Sequence, residues 1–120
     1  MSTNNKELGK KGELLACDYL KKKGFKIHKV NYKFDRAEVD IVAEDKGMLV
    51  FVEVKTRVSA YLSDPALLVP MKKQRQIIKA ADEFVKQVFP EKESRFDIII
   101  VITNEQYTSI EHIEDAFYPM

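Results

Sequence analysis

Residues 37–57 read AEVDIVAEDKGMLVFVEVKTR. Two runs rich in branched residues, Ala37–Ala43 and Met48–Arg57, flank the polar stretch Glu44-Asp45-Lys46-Gly47. This pattern predicts two antiparallel strands joined by a turn. Side chains alternate across a strand. Glu53 therefore shares a face with Leu49, Phe51 and Lys55, and Asp40 shares one with Glu38 and Val42. A two-residue loop at Lys46-Gly47 would set Asp45 opposite Met48 and Asp40 opposite Glu53. A four-residue loop at Glu44–Gly47 would set Glu38 opposite Glu53 and Asp40 opposite Phe51. Both registers keep Asp40, Glu53 and Lys55 on one face, whereas a shift of one residue would separate them.

Two neighbouring carboxylates on one face repel each other, and burying them unpaired costs several kcal/mol. A hard divalent cation such as magnesium, or manganese in its place, relieves that cost through carboxylate oxygens. Such an ion can polarise a phosphoryl oxygen and acidify a bound water. Lys55, one strand period beyond Glu53, would orient that water or neutralise developing charge. A plainer reading fits the three residues equally well: Glu-x-Lys is a common pattern on a solvated, ion-paired strand face. The apolar character of both hairpin faces places these charges at least partly in the interior, where an unpaired charge is expensive.

Outward from the hairpin, Leu8, Leu15, Ala16, Tyr19 and Leu20 recur at helical spacing. They predict a helix over Lys6–Lys23, capped by Asn4 or Asn5 and closed by Gly24. Glu13 lies roughly 20° from Leu20 and 60° from Ala16 around that helix, at the border of its apolar stripe. A border glutamate can be simply solvated; packed on the hairpin, it would be a further carboxylate at the site. Gly9 and Gly12 each cost the helix about 1 kcal/mol relative to alanine, which anticipates close approach of another backbone or a ligand. Phe25–Tyr32 predicts a first strand. Val58–Val69 reads as a loop. Pro70 suits the first position of a second helix, whose apolar face is Ile77, Ile78, Ala81, Phe84, Val85 and Val88 and which runs to about Phe89 before Pro90. The unbroken apolar run Phe96–Ile102 predicts a strand covered on both faces. Tyr107–Ile113 predicts the last strand. The expected fold is one α/β domain over residues 1–120, in the order α-β-β-β-α-β-β, with a mixed sheet flanked by helices.

The chain has 120 residues, 45% of them apolar, enough for a core without staples. The lone Cys17 permits no internal disulfide, and Met1–Lys11 lacks the apolar core of a secretory signal; both point to a cytoplasmic protein. No apolar run is long enough to predict a membrane span. His28 and His112 stand apart without companion cysteines, which argues against zinc. The net charge of +1 is unevenly spread. Residues 1–36 carry ten Lys/Arg against four Asp/Glu, residues 37–71 carry three against six, and Lys72, Lys73, Arg75 and Lys79 follow. This is either ordinary solvated surface or an acidic centre with a phosphate-attracting rim.

Several pieces taken together resemble a known family. They are Gly9-x-x-Gly12-Glu13, Tyr19-Leu20 with Gly24, Asn31-Tyr32, Glu38-Val39-Asp40, Phe51-Val52-Glu53-Val54-Lys55-Thr56-Arg57, Lys72, Arg95-Phe96-Asp97 and Ala116-Phe117. Their order and spacing resemble the YraN-type bacterial proteins, small domains of restriction-endonuclease-like fold within the PD-(D/E)xK nucleases, similar to archaeal Holliday-junction resolvases. The resemblance implies that Asp40 and Glu53 bind the metal with the Val54 carbonyl, that Glu13 joins them, and that Lys55 assists catalysis. One departure is Ala37, where that family usually has glycine. Arg57, Lys72, Lys73 and Arg36 are the expected nucleic-acid contacts. The expected function is a magnesium-dependent endonuclease acting on DNA, possibly branched or repair-related, with a non-catalytic nucleic-acid-binding or assembly module as the alternative. A two-fold homodimer would suit a nuclease that cuts two strands.

Overall fold

The computed structural model describes residues 5–59 and 69–118. Its elements are α1 (Asn5–Lys22), β1 (Lys26–Phe34), β2 (Ala37–Asp45), β3 (Met48–Arg57), α2 (Met71–Val88), β4 (Ser94–Thr103) and β5 (Thr108–Phe117). The α-β-β-β-α-β-β order expected from the sequence is the order observed. The five strands form one sheet in the spatial order β1-β2-β3-β4-β5. All neighbours are antiparallel except β3 and β4, which run parallel. That parallel pair requires a crossover, and α2 lies within it.

The β2–β3 turn decides the register. Lys46 and Gly47 have φ of 52° and 85°, the two positive values of a tight type I′ hairpin turn. Asp45 is paired with Met48, so the two-residue loop is the one formed, and Glu44 and Asp45 belong to the strand.

Among the described residues, each face of the sheet carries one helix. Leu49, Phe51, Val42, Phe96, Ile98 and Ile100 pack with Ile77, Ala80, Ala81 and Phe84 of α2. Ile41, Ala43, Val50, Val52, Ile99 and Val101 pack with Ala16, Cys17 and Leu20 of α1. The apolar run of β4 is thus buried on both sides, as its composition requires. α1 ends in a Schellman closure. Gly24, at φ 95°, donates to the Lys21 carbonyl at 3.0 Å, and Phe25 donates to that of Leu20 at 2.9 Å. No helix is long and apolar enough to cross a membrane among the described residues.

Several boundaries differ from expectation. β1 runs on to Phe34, and β5 runs on to Phe117, which is buried against Phe96. Pro70 is the N-cap of α2, one residue before its first turn. Asn5 already lies in α1, while Asn4 and most of the expected 58–69 loop lie outside the described residues. Of the two helix glycines, only Gly12 meets close packing: a Cβ there would lie 1.8 Å from Thr56 Oγ1. Gly9 faces open space, because it lines a cleft rather than a packed surface.

Alternation along β2 slips at the hairpin's far end. Val39 and Val42 both pack on the α2 side, although three positions apart, while Ile41 packs on the α1 side. The expectation that Asp40, Glu38 and Val42 share one face is therefore corrected: Glu38 falls on the α1 side. The cause is local. Asn31 adopts φ 53°, and the β1–β2 ladder passes from Val30↔Ile41 to Tyr32↔Val39 over Asn31 and Asp40. A strand interrupted in this way re-aims its side chains.

Candidate functional site

The β2–β3 ladder runs from Asp45↔Met48 to Ile41↔Val52 and stops there. The next opposed residues in that register are Asp40 and Glu53. In place of further ladder bonds, Asp40 Oδ2 accepts a hydrogen bond from the Val54 backbone N–H at 2.8 Å. The two strands separate here, and the carboxyl groups occupy the split.

The Glu53 side chain is only 2% exposed. No backbone N–H donates to either of its oxygens. Two ammonium groups nevertheless approach Oε2: Lys55 Nζ at 3.6 Å from the same strand, and Lys73 Nζ, in direct ion-pair contact, from α2. Lys73 is thus in direct ion-pair contact with Glu53, and Lys55 stands farther off.

The electrostatics follow from this crowding. Burial, the hydrogen-bonding contact with Glu53 and that group's charge push Asp40 up to about 9, against a smaller opposing pull from the Val54 N–H. With these protein partners, Asp40 therefore holds a proton at neutral pH. Glu13 is also raised, first by burial and then by the charges of Glu38 and Glu53, while its hydrogen bond to Asp40 works against the rise. Burial lowers Lys55, and nearby Lys73 and Arg57 add to this against the pull of Glu53. Burial also lowers Lys73, but its contact with Glu53 outweighs that and leaves it raised.

Glu13 reaches Asp40 from α1. Asn31, taken with its amide nitrogen toward the acids, donates to Glu13 Oε1 and Glu38 Oε1, each at 3.0 Å. This explains the left-handed backbone at Asn31. Its side chain bridges two carboxylates at the point where the strand breaks, and asparagine tolerates that conformation.

The donor set suits a hard divalent cation: the carboxyl oxygens of two adjacent buried acids, one of which keeps a proton beside the other's charge. Yet among the described residues no three His, Cys, Asp or Glu side chains converge closely enough to form a ready-made cage. Asp40 and Glu53 are the pair that fits; Glu13 stands beside Asp40.

With this geometry in view, similarity to known proteins narrows the identity. Residues 12–101 match the family described as "Uncharacterised protein family UPF0102". A UPF0102 protein of Geobacter metallireducens is 47% identical over 118 residues, covering 98% of this chain and 97% of that protein. One from Christiangramia forsetii is 45% identical over 112 residues, covering 93% and 94%. The chain belongs to the UPF0102 family. The YraN-type resemblance drawn from the motifs is thereby borne out.

Other residues expected at the site of this UPF0102 chain are placed less centrally. Arg57 is exposed and donates to the Thr56 carbonyl at 2.9 Å. With Lys11, Val54, Lys55 and Asn104 it lines an open cleft of about 1010 Å³ beside the carboxylates. Lys72 is exposed at the start of α2, and Arg36 is exposed in the β1–β2 turn. Lys73, expected as a phosphate contact, is the one drawn into the site. Sequence reasoning missed Asn31 as a bridge and Thr56 as the partner of Gly12. Both had a signal in the motif strings that contain them, but no chemistry was attached to them.

A second buried acid was also missed. Asp97 is fully buried and fully bonded. It accepts from Arg95 Nε at 2.8 Å, Arg95 Nη2 at 2.9 Å and the Asp115 N–H at 3.0 Å, and pairs with His112 Nε2 at 2.6 Å. His112 is thus a member of this closed network.

Proposed function

We propose that this protein is a divalent-metal-dependent phosphodiester hydrolase acting on DNA. The observation that carries the reading is the buried pair of acids at the strand split: Glu53, 2% exposed, against the raised carboxyl group of Asp40, with a lysine on the same strand face. Asp40 and Glu53, with the Val54 carbonyl and Glu13 in support, would hold magnesium or manganese. The ion would supply positive charge against a phosphoryl oxygen and acidify its water. Lys55 is half-buried and close to Glu53, so its ammonium is directed at the reacting group rather than lost to solvent. Asn31 restrains Glu13. Arg57 and Lys11, on the adjoining cleft, supply charge for the phosphates flanking the scissile one.

The test is cleavage of labelled linear, flapped and four-way DNA with magnesium or manganese. We expect metal-dependent cutting that falls at least about a hundredfold in Asp40→Ala and in Lys55→Ala. Cutting at the same rate in both variants would remove these residues from the mechanism. A second reading, a non-catalytic nucleic-acid-binding module, draws on the absence of a three-residue cage among the described residues and on Lys73 already partnering Glu53. It predicts binding that weakens steeply with salt, without cleavage.

A further inference from the structure

The contact between Lys73 and Glu53 joins two unequal partners. The Glu53 side chain is 2% exposed, whereas that of Lys73 is 41% exposed. Glu53 is fixed in the sheet and needs a cation wherever the lysine goes. Lys73 reaches it from the first turn of α2 on a flexible four-carbon stem that is already partly in solvent, so its ammonium regains hydration when it leaves. Lys55, 17% exposed and 3.6 Å from the same oxygen, is held far more closely in place.

The helix that carries Lys73 is anchored at the right point. Gln74 donates through its side chain to the Val69 carbonyl at 2.8 Å and through its backbone N–H to the Pro70 carbonyl at 2.9 Å. The first turn of α2 is therefore tied down at the residue next to Lys73, and the ammonium is delivered to Glu53 by the backbone position. Neighbouring Lys72 is exposed in the same turn, so the approach to Glu53 belongs to one lysine and not to the basic cluster as a whole.

We propose that Lys73 is the resident counter-cation of Glu53, which a divalent metal must displace, and that the displaced ammonium then faces the phosphate of the substrate. This rests on reading Asp40 and Glu53 as the metal pair. Lys73 is then neither a structural ion pair nor a generic phosphate contact. It keeps the buried acid compensated until metal arrives, and so sets the metal affinity of the site. A single cation leaves Glu53 as another enters, with no covalent change.

The experiment is calorimetric titration of manganese into the full chain as wild type, Lys73→Met, Lys73→Gln and Lys72→Met. Thermal midpoints of each in EDTA accompany it. Lys73→Met and Lys73→Gln should bind manganese about tenfold more tightly than wild type, as expected when one charge-assisted competing contact is removed. Lys72→Met removes the same charge from the same turn and should bind as wild type does. In EDTA, both Lys73 variants should melt below Lys72→Met, and manganese should close that gap. Equal affinity in the Lys73 and Lys72 variants, with metal binding intact in wild type, would overturn the proposal and leave the metal reading standing. No manganese binding by any of the four folded proteins would overturn both. If Lys73→Met does not fold, Lys73→Gln gives the same comparison with a polar side chain in the contact.

Discussion

Two buried acids on neighbouring strands of this sheet have opposite surroundings. Asp97 on β4 is fully buried, and Arg95, His112 and the Asp115 N–H saturate its oxygens. Glu53 on β3 is 2% exposed, and no backbone N–H serves its oxygens; its neighbours are the ammonium groups of Lys55 and Lys73 and the carboxyl group of Asp40. Equal burial thus comes with unequal satisfaction. A closed network like that around Asp97 fixes geometry: it pins the β4–β5 irregularity, where Asp115 has φ 54°. An open one like that around Glu53 leaves binding capacity, which a fold retains where something else is meant to bind.

The largest expected effect comes from replacing each acid by its amide. Asp97→Asn sets an amide against Arg95 and His112 and should cost about 3 kcal/mol, within the range for breaking one partner of a buried ionic network. Glu53→Gln, measured in EDTA, should stay within about 1 kcal/mol of wild type, because it removes a buried charge and leaves Lys73 free to turn to solvent. Denaturant unfolding of both variants tests this. Similar losses would erase the distinction between the two acids.

Gly12→Ala should come next, at about 1–3 kcal/mol, because the new methyl would overlap Thr56 and force α1 off β3. The pairing of Gly12→Ala with Thr56→Ser should recover part of the loss. Full additivity in a double-mutant cycle would contradict the packing.

The pH dependences should carry opposite signs. Burial raises the carboxyl of Asp97, but its hydrogen bonds to His112, Arg95 and Asp115 outweigh that and hold it below its ordinary range. Its stabilisation is present above the unfolded value of about 3.9 and is lost as pH falls through the lower folded value. Asp40 is the reverse. Its folded value of about 9 lies far above the unfolded one, so the folded state binds the extra proton between them. In EDTA, stability should decline as pH rises through that window. Asp97→Asn should flatten the acid limb of a melting-against-pH curve, and Asp40→Asn the alkaline one.

Much of this was legible in local pattern. The alternating hairpin, the apolar β4 run and the helical spacing of α1 and α2 all rest on short-range periodicity, and the positive-φ turn at Lys46-Gly47 selected one of two registers that already agreed on the face. The face slip at Asp40 was not legible. It depends on Asn31 across the ladder adopting a left-handed backbone, and alternation rules assume an unbroken strand. The route of Lys73 to Glu53 was hidden because it depends on where α2 docks over the sheet. The Asp97 network was hidden because its members come from β4 and a bulged β5.

The central claim is that the acid pair at the strand split is a cation site, and the thermal midpoint of wild type and Glu53→Gln, with and without magnesium or manganese, tests it most directly. At about a hundred times the dissociation constant, wild type should rise by roughly 10 °C, and Glu53→Gln should not move. An equal shift in both proteins, or none in either, would contradict it.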